Sequence, residues 1–302
     1  MTAPRGDTRA YAMLAAAMLF WAGNAIAGRL VRDDIPPATL SLLRWTGALA
    51  ILLPFAWSKL VRDRAILLAG WPRVVAIGLL GVASFNALYY LGLHDTTASN
   101  GLLLQALIPA LVLVCDRLIF GTRPGWGAVA GVAISTIGVG IIVFRGDPAL
   151  LTGFVLGRGD ALILTAVVIW ALYTSLLRTK PAAHPLAFLA AIFMVGLVAL
   201  IPLAIAEIVS GATIRATPTA LGVIAYVAIF PSLLSYLLFN AGVAAIGAGR
   251  AGQVINLMPL FGALLAAVLL GERLRAYHAV GMAMILAGLI VGLLRRQSVT
   301  SP

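Results

Sequence analysis

The chain is a near-continuous series of apolar runs separated by short polar breaks, and this pattern constrains its fold more than any motif does. Ten runs are long enough to cross the hydrocarbon core of a bilayer, which takes roughly 20 helical residues. They lie at approximately 10–28, 37–57, 72–93, 97–120, 124–144, 159–178, 185–206, 217–240, 248–270 and 276–294. Prolines or glycines punctuate most connections, as at Pro36-Pro37, Pro72, Pro124, Pro185 and Pro218. Hydrophobic residues make up 62% of the chain and charged residues 10%, against about 25% charged in soluble domains. No soluble core of this length hides so much apolar surface, so the surrounding medium is lipid. The first run imitates a secretory signal, with Arg5 and Arg9 before it and Ala25-Ile26-Ala27 at its end. Trp21 and Asn24 within the run, and a counterpart later in the chain, mark it as a retained span.

The net charge of +11 forms no basic face or arm of the kind that holds nucleic acid. The cations sit between the apolar runs, where they report orientation. With both termini cytoplasmic, thirteen Lys and Arg fall inside and seven outside (Arg29, Arg32, Arg145, Arg158, Arg215, Arg273 and Arg275), leaving Arg44 within a span. That asymmetry follows the positive-inside rule. The expected location is the inner (plasma) membrane, multi-pass, with both termini in the cytoplasm. The single Cys115 excludes an intrachain disulfide.

The chain also repeats itself. A shift of 150 lays Gly92 on Gly242, Pro109 on Pro259, Gly121 on Gly271, Arg123 on Arg273, Gly131 on Gly281 and Gly138 on Gly288. For the first helix a shift of 149 lays Trp21 on Trp170 and Arg29 on Arg178. Five spans per half is an odd number, so the second half enters the membrane from the opposite side. The expected fold is therefore an all-α polytopic membrane protein, ten transmembrane helices arranged as two inverted five-helix repeats, 1–146 and 147–302. This is a transporter architecture, with a site near the midplane between the halves.

The same alignment exposes the polar groups inside the membrane. Asn24 falls on Tyr173, Asn86 on Tyr236 and Tyr90 on Asn240, so Asn and Tyr trade places between the halves. Trp21 and Asn24 share a helix face at i,i+3, as do Trp170 and Tyr173; Asn86 and Tyr90 share one at i,i+4, as do Tyr236 and Asn240. Gln105, Ser235, Gln253 and Asn256 add further amides and a hydroxyl. An unpartnered amide facing lipid costs several kcal/mol, so these groups face the bundle or a wet cavity. For any one residue, interhelical glue and pocket lining stand level; for the paired set on four helices, a pocket is the better account. The candidate substrate-binding residues are Trp21, Asn24, Arg44, Asn86, Tyr90, Gln105, Trp170, Tyr173, Tyr236, Asn240 and Asn256. Trp21 and Trp170 are expected on opposite sides of one cavity, bracketing the substrate. Arg44, the one charge well inside a span, either receives a substrate carboxylate, snorkels to the surface or binds backbone carbonyls. Pro109 and Pro259 are hinges or kinks, and Gly127/Gly131 and Gly288/Gly292 are close-packing positions.

The absences discriminate too. No phosphate-binding GxxxxGK[ST] loop occurs, no metal-ligand spacing is present, and every carboxylate lies in a loop or at a span end. No cofactor and no catalytic set are expected. A neutral, aromatic, amide-rich pocket suits a zwitterionic or uncharged substrate with an apolar body, such as a large amino acid. A phosphate would want several buried cations and a cationic drug a buried carboxylate. The rival classes are a polytopic enzyme, for which no catalytic group is found, and a receptor or scaffold, which leaves the inverted repeat unexplained. Nothing requires an oligomer, and a monomer is compatible with the sequence.

The stretch from Gln253 to Gly292 carries a proline-bearing run, a Gly271-Glu272-Arg273-Leu274 turn and a Gly-rich final run. In this it resembles the end of an EamA domain of the drug/metabolite transporter superfamily. Pro259, Gly281 and Gly288 match in the second half, and Arg44, Pro109, Gly121, Arg123, Gly131 and Gly138 in the first, where Thr122 replaces a frequent Glu. The resemblance implies ten spans from duplicated five-helix halves and export of metabolites, amino acids among them, and is nearest to aromatic amino acid exporters of the YddG type. It implies alternating access down the substrate's own gradient. A multidrug or metabolite exporter of the same superfamily is the alternative.

Overall fold

The computed structural model describes residues 5–31, 33–96, 98–147, 157–270 and 274–294, and their regular structure is helical throughout. The membrane helices are α1 (Arg5–Leu30), α2 (Pro37–Arg62), α3 (71–95), α4 (98–120), α5 (Trp126–Val143), α6 (Arg158–Thr179), α7 (Pro185–Val209), α8 (Pro218–Ile246), α9 (248–270) and α10 (Ala276–Leu294). A short helix, Arg64–Ala69, joins α2 to α3. Eight of the described helices are long and apolar enough to cross a membrane. The Gly271-Glu272-Arg273 turn, Arg32, Arg295, Arg296 and the junction 148–156 lie outside the described residues.

Proline opens α2, α7 and α8, where its missing N–H would have had no helical partner anyway. Inside the membrane the two halves share their irregularities. A π-helical stretch interrupts α3 at Leu79–Ser84 and α8 at Ala228–Leu234. The expected unbroken spans 97–120 and 248–270 are each two segments: Ala98–Gln105 and Ile108–Phe120, then Ala248–Val254 and Leu257–Leu270. Pro109 and Pro259 sit in the first turn of each restarted segment, so they end one helix and begin another. All four irregularities repeat at the same shift of about 150. Such backbone is tolerated at membrane depth where it lines a cavity or is covered by protein.

The contact between α5 and α10 reveals the symmetry. A Cβ on Gly131 would lie 2.5 Å from the Gly288 carbonyl oxygen, and one on Gly281 would lie 2.7 Å from that of Gly138. Residues 131 and 281 are equivalents, as are 138 and 288, so this is one contact seen twice between antiparallel helices. Only a two-fold axis crossing the helices does that, and it lies in the membrane plane. Only glycine lets the two backbones approach so closely.

Helices α2 and α7 form a second self-related pair. Near the C-terminus of α7, Glu207 accepts the amides of Ala38 and Thr39 at the start of α2, at 2.7 and 2.8 Å. Asp63, at the end of α2, accepts the amide of His184 at the start of α7, at 2.6 Å. Each helix thus supplies a carboxylate to the unsatisfied N–H groups of the other's N-terminus.

Candidate functional site

At the centre of the bundle the two equivalent tryptophans meet. The rings of Trp21 and Trp170 pack edge to face with centroids 5.0 Å apart. The expected bracket is thereby corrected: residues close to the two-fold axis are brought into contact by it and form one wall together. Phe85, Tyr236 and Phe239 complete the aromatic cluster around them. The π-helical stretches position this cluster, because a wider turn leaves carbonyls without their usual i+4 donors. Pro231 O accepts the Trp21 indole N–H at 2.8 Å, and Gly81 O accepts the Tyr236 hydroxyl. Residues 81 and 231 are equivalent, so both repeats use the same freed carbonyl to hold an aromatic side chain.

Against this cluster lies a small cavity. Of the expected residues, Trp21, Asn24, Arg44, Asn86, Gln105, Trp170 and Tyr236 line it. Its free space is about 40 Å³, which holds a water or two and no amino acid, so this conformation is closed around the site. Five lining residues escaped the sequence: Phe85, Tyr89, Ile108, Ile255 and Met258. The signal was present, since a shift of 150 lays Gln105 on Ile255 and Ile108 on Met258, the two pairs that flank the helix breaks. Tyr89 stacks on Phe85 and receives a hydrogen bond from Gln105 Nε2 at 2.7 Å.

Arg44 is 1% exposed. Its Nε donates to Ser232 Oγ at 2.8 Å, and its Nη1 donates to Asn86 Oδ1 at 3.1 Å and to Tyr90 Oη at 2.9 Å. Three neutral oxygens therefore hold the cation, and no carboxylate pairs with it among the described residues. Neither snorkelling nor backbone carbonyls account for it. A buried cation without a counter-ion is costly, and one that faces a cavity is poised to receive an anionic group.

Four of the six traded Asn and Tyr residues turn out to be bonded partners, in two pairs. In one the Tyr90 hydroxyl donates to Asn24 Oδ1 at 2.9 Å, tying α3 to α1. In the other the Tyr173 hydroxyl donates to Asn240 Oδ1 at 2.7 Å, tying α6 to α8. Tyr90, Tyr173 and Asn240 are not among the lining residues of the cavity, whereas Asn24 is. Asn256 is not among its lining residues; with Gln105, Ile255 and Met258 it lines a smaller pocket beside it. It lies at the break in α9, and its Nδ2 donates to Ser135 Oγ on α5 at 2.8 Å.

Beyond Asn240 a vestibule of about 590 Å³ opens to one face, with Asp116, Thr122, Arg178, Lys180 and Arg250 on its walls. Arg178 lies 3.8 Å from Asp116 and Arg250 4.0 Å from Asp7. Burial pushes the Lys180 ammonium below its usual range. His184 and His278 cap helix starts through Nδ1, and the described residues hold no group of metal ligands.

A family model described as the EamA-like transporter family matches residues 8–144 and 157–294. The chain is 25% identical over 297 residues to the uncharacterized transporter YetK of Bacillus subtilis (strain 168), covering 95% of this chain and 88% of that one. It is 28% identical over 220 residues to the uncharacterized transporter YyaM of the same organism, covering 72% and 71%. It is also 27% identical over 274 residues to a protein of Streptantibioticus cattleyicolor named as a probable terminal-alkyne amino-acid exporter, covering 90% and 89%. A solved crystal structure at 20% identity superposes with a TM-score of 0.79, covering 97% of this chain and 99% of that chain, which is a likeness of fold.

Proposed function

The chain belongs to the EamA-like transporter family, and on that premise we propose that it exports large neutral amino acids, aromatic ones among them, by alternating access down their own gradient. Arg44 carries this reading: it is a buried guanidinium with only neutral acceptors, at the edge of a cavity walled by Trp21, Trp170, Phe85 and Tyr89. A substrate carboxylate supplies the missing anion, and the aromatic wall takes the side chain. A cationic drug finds no carboxylate among the lining residues, which disfavours the multidrug alternative. The relative named as a probable amino-acid exporter supports the same substrate class.

The loop charges favour a cytoplasmic vestibule face in an inner-membrane protein, with both termini on that side. Substrate then enters past Arg178, Lys180 and Arg250, whose positive field draws carboxylates from solution. The Tyr173–Asn240 contact opens to admit it, and the Tyr90–Asn24 contact opens to release it. Counterflow in proteoliposomes tests the assignment, with labelled phenylalanine compared against phenethylamine, which differs by the carboxylate alone. Phenylalanine exchanges and phenethylamine does not. Arg44→Gln lowers exchange by ten-fold or more, since a hydrogen bond to a charged group contributes about 1.5–3 kcal/mol. Equal exchange of the two compounds, or normal exchange by Arg44→Gln, would overturn the reading.

A further inference from the structure

Arg44 faces the cavity and also belongs to one of its two closures. Its Nη1 donates to the Tyr90 hydroxyl, which donates onward to Asn24 Oδ1, each step 2.9 Å long. This relay joins α2, α3 and α1 on the side away from the vestibule. The equivalent closure, Tyr173 to Asn240, has the same chemistry without a cation. The shift of 149 lays Arg44 on Phe193, which packs against Trp45 and Tyr236 instead. The two closures therefore differ in one respect: only the far one is wired to the group that a substrate carboxylate meets.

We propose that Arg44 couples occupancy of the site to opening of the far side, with Tyr90 as the positioning residue through which it acts. This rests on the carboxylate reading given above. A carboxylate engages guanidinium most strongly as a fork, through two parallel N–H groups. Nε is held by Ser232 and Nη1 by Asn86 and Tyr90. Nη2 makes no hydrogen bond among the described residues. A carboxylate that comes from the vestibule meets Nη2 first and takes its second bond from Nη1, which releases Tyr90. The Tyr90 hydroxyl loses the charged donor that oriented it, and its contact with Asn24 weakens. Helices α1 and α3 then part on the far side. Without substrate, Arg44 stays satisfied by Tyr90 and Asn86, and the far side stays shut. The near closure needs no such control, because it opens toward the compartment that supplies the substrate.

The effect is readable as a distance between the far ends of α1 and α3. Spin labels at Leu30→Cys and Leu91→Cys, both exposed positions, are introduced with Cys115→Ser and measured by pulsed dipolar spectroscopy in nanodiscs. Phenylalanine is expected to raise the long-distance population by roughly five-fold, the equilibrium worth of one net hydrogen bond. Phenethylamine leaves that population unchanged. Tyr90→Phe raises it without ligand and makes it insensitive to phenylalanine. The equivalent variant Tyr173→Phe leaves this pair at its parental distance, which separates loss of the closure from general loosening. If ligand-free Tyr90→Phe shows the parental distances, the proposal is wrong. Phenylalanine that binds in an Arg44-dependent way without lengthening the distance overturns the coupling and leaves the carboxylate reading standing. Phenylalanine that does not bind the parent protein at all sinks both.

Discussion

At the scale of single residues, aromatic side chains carry as much of the site as polar ones do. Trp170 is 2% exposed and packs against Trp21, Phe85, Tyr173, Tyr236 and Phe239. Truncating it to Ala costs about 3–5 kcal/mol of packing, which confuses a transport defect with a folding defect. Trp170→Phe is the cleaner change. Aromatic pairs contribute about 0.5–1.5 kcal/mol beyond their burial, so counterflow of tryptophan by Trp170→Phe is expected to fall by three- to ten-fold. The monodisperse yield stays within two-fold of the parent. Parental transport per folded molecule would remove Trp170 from the binding wall. Trp21 is a poorer probe, because its indole N–H holds the α8 carbonyl of Pro231 and its loss disturbs a helix as well as a wall.

At the scale of elements, α2 and α7 brace each other. Each crosses the bundle antiparallel to the other, and each donates a carboxylate to the other's N-terminus. The hydrogen bond from Arg62, followed by that from the His184 amide, holds the Asp63 carboxyl below its usual range. A depressed carboxylate pKa contributes stability that is full above the unfolded value near 4 and is lost as pH falls through the folded value. Thermal denaturation in detergent should therefore show Asp63→Asn destabilised relative to parent at pH 7. The gap should close progressively below about pH 4. A gap that persists at the lowest pH would mean that Asp63 acts through its shape and not its charge. Glu207→Gln keeps one of the two oxygens that accept from Ala38 and Thr39 and sets an NH2 against the other amide, so it should destabilise as well, and more than the loss of charge alone would.

At the scale of the whole molecule, a small central cavity lies between two Tyr–Asn contacts, with a wide vestibule beyond one of them. The buried carboxylates Asp63, Asp116 and Asp160 stand at helix ends, away from the centre, where a proton relay would need one. Counterflow in liposomes is accordingly expected to proceed equally with and without an imposed pH difference. Stimulation of ten-fold or more would assign a protonation step to the cycle. Orientation is a second property of the whole. A phosphatase reporter fused after the C-terminus, active only in the periplasm, should be silent. Activity would invert the direction assigned to the vestibule.

Hydropathy and the 150-residue shift were enough to establish ten helices, two inverted halves and the identity of most residues around the site. These are local or periodic properties, and a linear sequence carries them. The traded Asn and Tyr positions were visible in the same way, as was Arg44 as the one charge within a span. What the sequence left open was decided by where the two-fold axis passes. Trp21 and Trp170 lie close enough to it to touch, so they make one wall. The Tyr90–Asn24 and Tyr173–Asn240 pairs lie farther along the helices, so they become closures. The smaller pocket that Asn256 lines at the break in α9 was not foreseen, because such a break has no counterpart in hydropathy. The π-helical stretches were equally silent, because carbonyls within them are met by Trp21 and Tyr236, 210 and 155 residues away in the chain. Periodicity determines which face of a helix is polar; only packing in three dimensions determines what that face meets.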